Sequence, residues 1–186
     1  MSSIPSTPKP TPATSGPAAV QLLVLDVDGV MTDGGIYVDD AGREFKRFDV
    51  TDGAGIRVWL KMGRQAAIIT GRGGDTVMHR ASYLGIEHVV RESRDKAADL
   101  TRLASSLGLP LGATAFLADD WPDLAALRVC GYPMAVANAE PAVRALARFA
   151  TSRPGGRGAV REAIEHLLSA QGLLDHAVRL YDPAHA

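Results

Sequence analysis

The sequence predicts an α/β fold in which a parallel sheet is held between layers of helices. Two observations carry that prediction. Short apolar runs rich in Val, Ile and Leu recur along the chain, as strands buried on both faces require. Between them lie segments with helical spacing, several ending at a glycine. Alternation of this kind gives parallel pairing with right-handed crossovers, and 186 residues suit one domain with one core.

The elements follow in order. Residues 1–19 hold Pro5, Pro8, Pro10, Pro12 and Pro17 among Ser and Thr, a composition that cannot bury a core and predicts a disordered tail. Residues 21–27 (QLLVLDV) read as the first buried strand. Segments 34–38 and 43–48 flank the turn Asp39-Asp40-Ala41-Gly42 and predict a β-hairpin. A helix is expected over 52–62, a strand over 65–70, a helix over 75–84 and a short strand over 87–90. Then come a helix over 95–107, a strand over 113–118, a short helix over 122–128, a strand over 133–137 and a helix over 141–146 with Pro141 in its first turn. The last long helix is expected over 158–169. The domain so defined spans 20–172, leaving a C-terminal tail over 173–186. The whole is a Rossmann-like three-layer sheet with a hairpin flap after strand one.

Composition narrows the function. A net charge of −1 gives no support to nucleic acid as a partner. No apolar run approaches a bilayer's thickness, and no secretory signal is visible. Cys130 stands alone, so no internal disulfide forms, and a cytoplasmic setting is expected. His79, His88 and His166 show no ligand spacing.

Three motifs lie at carboxyl ends of strands, where ligands bind in such folds. Asp26-Val27-Asp28-Gly29 closes strand one and points two carboxylates into one crevice. Solvated strand-end acids are its plain alternative. A calcium loop of the helix-flanked type is excluded, since its twelfth position is Tyr37. Thr70-Gly71-Arg72 offers a hydroxyl and backbone N–H groups to an anion, or is simply a turn. Asp119-Asp120 follows another apolar run, with Asp123 four residues on, and could equally cap the next helix. Together the three say more. Asp26, Asp28, Asp119 and Asp120 converge on one crevice, and so many carboxylates repel unless a divalent cation joins them. All-oxygen ligands suit magnesium, which shares its shell with phosphate. Lys96, opening a helix, offsets the remaining charge.

Asp-x-Asp-Gly, Thr-Gly, a lysine and Asp-Asp in this order resemble the four motifs of the haloacid dehalogenase superfamily of phosphotransferases. Only a hairpin and a helix separate the first two motifs, so no cap domain fits, and the resemblance narrows to the small capless sugar-acid phosphatases. It runs from about 22 to 174, through 25–34 (LDVDGVMTDG), 48–56 (FDVTDGAGI), 67–72 (AIITGR), 84–86, 119–124 and 155–162 (GGRGAVRE), then Ala170-Gln171-Gly172.

The resemblance implies a magnesium-dependent phosphatase. Asp26 is then the nucleophile that forms an aspartyl-phosphate. Asp28 protonates the leaving sugar oxygen and later deprotonates the attacking water. Thr70 and Lys96 hold the phosphoryl oxygens. The metal takes the carboxylates of Asp26 and Asp119 and the backbone carbonyl of Asp28, with Asp120 orienting a water or Lys96. Arg57, Arg72 and Arg80 match substrate-contacting positions, with Gly71 beside them. The segment Asp49, Val50, Thr51, Asp52 and Gly53 matches a pocket lining, and Arg157 reaches the site across an interface. The implied substrate is an eight-carbon sugar acid 8-phosphate destined for lipopolysaccharide. The implied assembly is a homotetramer in which each hairpin covers a neighbour's site. A nine-carbon sugar acid 9-phosphate is the alternative substrate, and a non-catalytic binding module the alternative class. Two positions depart from the pattern: Ala118 replaces a glycine, and Thr51 an arginine.

Overall fold

The structure, a computed structural model, describes residues 16–182. Of the expected N-terminal tail, 1–15 lie outside the described residues. Residues Pro17–Ala19 form a 3-10 turn, and the Gln171 side chain donates to the carbonyl of Val20 at 2.9 Å and that of Pro17 at 3.4 Å. Order therefore begins ahead of Val20.

The main sheet has six parallel strands, β1 (Leu22–Leu25), β4 (Gln65–Ile69), β5 (His88–Val90), β6 (Thr114–Ala118), β7 (Tyr132–Ala135) and β8 (Phe149–Ala150), ordered β5-β4-β1-β6-β7-β8. β1 lies between β4 and β6, with Leu22 opposite both Gln65 and Thr114, and all four of its residues are fully buried. The chain winds outward from β1 through β4 to β5, then crosses back to β6 and winds the other way. Right-handed crossovers then place the helices of the two halves on opposite faces. Accordingly α1 (Val50–Lys61) packs against α2 (Asp75–Leu84) and α6 (Ala159–Ala170), while α3 (Lys96–Ser106) packs against α4 (Leu124–Val129), which meets α5 (Pro141–Leu146). Trp59 is fully buried between α1 and the sheet, and its indole N–H donates to the Gln65 carbonyl at 2.7 Å. The reversal of winding falls between β1 and β6, which opens a crevice beyond their carboxyl ends.

Four differences from the sequence reading bear on function. The hairpin strands β2 (Tyr37–Val38) and β3 (Glu44–Phe45) are two residues each, shorter than expected. An isolated two-stranded ribbon has little to pack on, and Ile36, Val38 and Phe45 are exposed. Its two ends are drawn together by an antiparallel bridge between Thr32 and Phe48. Helix α1 starts at Val50, because the Asp49 side chain accepts from the Thr51 N–H at 2.7 Å and so caps it. The loop expected over 49–53 is thus that cap and the helix's first turn. β8 is too short to leave an apolar pattern, and was not expected. In the expected C-terminal tail, Leu174–Arg179 forms α7 on α6 with Ala177 buried; residues 183–186 lie outside the described ones.

Candidate active site

Asp26 is the first residue after β1, and Asp119 the first after β6. The chain then turns tightly through Val27–Met31, with Gly29 at φ 84°. That left-handed conformation suits glycine, and the missing Cβ matters sterically too. A Cβ at Gly29 would stand 2.0 Å from Asp119 Oδ2. The glycine therefore lets the third motif lean onto the first. A second contact closes the turn from behind. A Cβ at Gly155 would stand 1.7 Å from the Gly29 carbonyl oxygen, and the Gly156 N–H donates to the Val30 carbonyl at 3.0 Å. The glycine run at 155–158 is thus a backbone-on-backbone seat for the Asp-x-Asp-Gly turn.

A cavity of about 410 Å³ lies at these strand ends, and Asp26, Asp28, Thr70, Gly71, Arg72, Lys96, Asp119 and Asp120 line it. All three sequence motifs and Lys96 therefore reach one space. Lys96 is buried at the start of α3, its Nζ 3.0 Å from Asp26 Oδ1 and 2.6 Å from Asp123 Oδ1. Burial alone lowers a lysine, but these two carboxylates hold Lys96 above its ordinary range. Asp26 is raised to about 6, by burial first and by Asp123 next, against the pull of Lys96. Asp119 is raised to about 8 by burial and by Asp26, Asp123 and Asp120.

The donor set fits a hard cation. Carboxylate oxygens of Asp26, Asp119 and Asp123 lie within 4.8 Å of one another. Asp119 Oδ1 is buried with no hydrogen-bond partner, an arrangement that is costly unless a positive charge meets it. Asp123 is fully buried and already engaged, one oxygen by Lys96 and the other by the Asp119 N–H at 3.4 Å. The open ligands are Asp26 and Asp119, and Asp123 positions both Lys96 and Asp119. The sequence places Asp123 one helical turn beyond Asp119 but assigns it no role, because its contact with Lys96 joins distant segments.

Asp28 and Asp120 line the same cavity with their carboxylates engaged by other partners. Asp120 is exposed, and its Oδ1 accepts from the Trp121 N–H at 2.7 Å, so it caps the turn Trp121–Asp123. The Asp28 carboxylate turns toward the hairpin, where its Oδ1 meets Lys46 Nζ at 2.5 Å. The four acids read from sequence thus share one cavity, while the carboxylates that lie close together are those of Asp26, Asp119 and Asp123.

The anion cradle is braced from two sides. Thr70 is buried, its hydroxyl accepts from the Arg72 N–H at 3.2 Å, and its carbonyl accepts from the Ser93 N–H at 3.0 Å. Arg72 Nη2 lies 2.8 Å from Glu44 Oε2 on the hairpin. Arg94, exposed and two residues before Lys96, also lines the cavity and was missed because nothing in Ser93-Arg94-Asp95 marks its direction.

The remaining expected substrate contacts do not line this cavity. Val50, Gly53, Arg57 and Arg80 line a separate one of about 300 Å³ with Phe48, Tyr83 and Tyr181. Arg80 lies over the rings of Phe48 and Tyr83 and donates to the Asp49 carbonyl at 3.0 Å. Arg57 stacks 4.4 Å from the Tyr83 ring centroid. Thr51 is tied to Asp49, and Arg157 is exposed outside the crevice. Asp52 is buried, and its carboxylate accepts from the N–H groups of Gly158 at 3.2 Å and Arg161 at 2.9 Å. It holds the first turn of α6, a structural task, because the early start of α1 turns it inward.

A family model described as haloacid dehalogenase-like hydrolase matches residues 66–164, and the chain belongs to that family. Among its relatives is the 3-deoxy-D-manno-octulosonate 8-phosphate phosphatase KdsC of Escherichia coli (strain K12), 42% identical over 158 residues, 85% of this chain and 84% of that protein. A solved structure of 3-deoxy-D-manno-octulosonate 8-phosphate phosphatase from Moraxella catarrhalis, in complex with magnesium ion, phosphate ion and KDO, superposes with a TM-score of 0.87 at 38% identity, covering 89% of this chain and 95% of that one. The cobalt-bound deoxy-D-mannose-octulosonate 8-phosphate phosphatase from Haemophilus influenzae gives 0.82 at 34%, covering 85% and 92%.

Proposed function

We propose that the chain is a magnesium-dependent phosphatase that hydrolyses 3-deoxy-D-manno-octulosonate 8-phosphate to the free sugar acid and inorganic phosphate, a step toward lipopolysaccharide, in the cytoplasm. The observation that carries it is the juxtaposition of Asp26 with Lys96 at 3.0 Å and with the unpartnered Oδ1 of Asp119 in a cavity that Thr70 and Gly71 also line. That is a nucleophile beside anion-binding groups and an open cation site. The sugar acid follows from the Escherichia coli and Moraxella catarrhalis relatives.

Asp26 attacks phosphorus, and the aspartyl-phosphate splits one hard displacement into two easier ones. Lys96 and Thr70 hold the phosphoryl oxygens, where positioning and charge do most of the work. Asp28 gives the leaving oxygen its proton, then takes one from the attacking water. Asp26 and Asp119, with the Asp28 carbonyl, would hold the magnesium, which would neutralise charge on the transferring group. Asp123 keeps Lys96 aimed at Asp26.

The carboxylate of the sugar needs a cation beyond the cradle, which Arg72 and Arg94 supply at the cavity wall. We assign Arg57, Arg80, Val50 and Gly53 to the site of a neighbouring subunit in a homotetramer. What supports this is that they form a cation-rich cavity of their own, with no residue shared with the Asp26 cavity.

The test is phosphate release from 3-deoxy-D-manno-octulosonate 8-phosphate beside a panel of sugar phosphates, with magnesium and with EDTA. Fast, magnesium-dependent, selective release is expected. Release only from a nine-carbon sugar acid 9-phosphate would keep the mechanism and change the substrate. No release from folded protein would leave a binding module.

A further inference from the structure

We propose that Lys46, carried by the hairpin, is a positioning residue for Asp28, so that the flap completes the acid–base machinery of its own chain. This rests on the phosphatase reading above. The hairpin is otherwise an exposed ribbon, yet the Lys46 side chain is only 7% exposed. A buried ammonium is costly unless paired, and here its partners are Asp28 Oδ1 at 2.5 Å and Glu44 Oε1 at 3.1 Å. Glu44 spends its other oxygen on Arg72 at 2.8 Å. Asp28, Lys46, Glu44 and Arg72 thus form a ladder of alternating charge that ties the hairpin to both walls of the cavity.

The consequence is orientation. Asp28 follows Asp26 on a tight turn, and its carboxyl group would otherwise be free to swing toward solvent. Lys46 fixes Oδ1 and leaves Oδ2 for the substrate. In the first chemical step an Asp26 oxygen forms a bond to phosphorus as the bond from phosphorus to the sugar oxygen breaks. The sugar oxygen takes its proton from Asp28. An alkoxide does not leave without that proton, whereas p-nitrophenolate does, because its negative charge is delocalised. Mispositioning Asp28 therefore harms one class of substrate and spares the other, which a general loss of structure would not do.

The experiment measures kcat/KM, which reports steps up to phosphoryl transfer, for 3-deoxy-D-manno-octulosonate 8-phosphate and for p-nitrophenyl phosphate at saturating magnesium. For Lys46→Met the sugar acid phosphate should lose about 10- to 100-fold, as removal of a supporting partner typically costs. Against p-nitrophenyl phosphate the loss should stay under about 3-fold, because that transition state never used the interaction. Lys46→Arg, which keeps the charge and is the variant to read if methionine unseats the hairpin, should retain the native preference between the two. Equal losses on both substrates, or none on the sugar acid phosphate, overturn the proposal. Failure of the native protein on both substrates overturns the phosphatase reading, and this proposal with it.

Discussion

Asp119 rests on Gly29, its Oδ2 occupying the space where a Cβ would stand at 2.0 Å. The contact joins residues 90 positions apart and sets how closely the carboxylates of the first and third motifs approach. Gly29→Ala should therefore do two things at once. The new methyl pushes Asp119 aside, and the φ of 84° costs an L-residue about 1–2 kcal/mol. Activity should fall by at least about 10²-fold, since a misplacement of an ångström costs that much, and the magnesium concentration for half-maximal rate should rise. Magnesium titration of the rate with a thermal melt alongside checks both.

Metal removal and pH are coupled in a stated direction. Asp26 near 6 and Asp119 near 8 both lie above the ordinary value of 3.8. A carboxyl group whose pKa is raised on folding holds its proton more tightly in the folded state. Its stabilising contribution is full below 3.8 and is lost as pH rises through the folded value. In EDTA the melting temperature should fall between about pH 4 and about pH 8. Magnesium should flatten the fall, and Asp119→Asn should remove its upper part. A melting temperature that rises over that range in EDTA would contradict the crowded-carboxylate picture.

Asp52 separates a structural residue from a substrate contact. Its carboxylate caps α6 through Gly158 and Arg161. Asp52→Ala should cost about 1–2 kcal/mol, the usual loss for a cap. Asp52→Asn, which keeps an acceptor, should recover most of it. KM should stay nearly native in the asparagine variant. Denaturant unfolding beside steady-state kinetics reads both, and a large KM rise in a stable Asp52→Asn protein would return Asp52 to the substrate.

A shared site predicts complementation. Asp26→Asn lacks the nucleophile and Arg80→Ala lacks a cation from the second cavity, so each alone should be nearly inactive. Unfolded together and refolded, they should form mixed tetramers that regain a sizeable fraction of native activity. Light scattering on the native protein should report four chains. An active monomer, or no recovery on mixing, would place all substrate contacts within one chain.

Much of this was legible from sequence, and the reason is local. β1, β4 and β6 each end in an apolar run, and Asp26, Thr70 and Asp119 stand immediately after them, so topology alone brings them together. What was not legible depends on contacts between distant segments. Asp123 reads as one more acid in a helix start until Lys96 is seen beside it. Lys46 reads as a surface lysine because a hairpin's seat on the domain leaves no periodicity. Asp52 was assigned to substrate because its segment matches a pocket lining in the resembled family, and its seat on α6 depends on residues over a hundred positions away. Arg57 and Arg80 carry the right charge, but only the fold reveals that they face a different cavity.

The bridge between Thr32 and Phe48 makes the chain leave and re-enter the domain at one point. What lies between is an excursion whose length the core does not register, since each doubling of a closed loop costs only about 0.6 kcal/mol. That makes 33–47 a natural port for insertion. A binding domain or an optical reporter could be spliced at the exposed Asp40-Ala41 tip without moving the nucleophile. The one condition is that the return limb still deliver a lysine to the same spot.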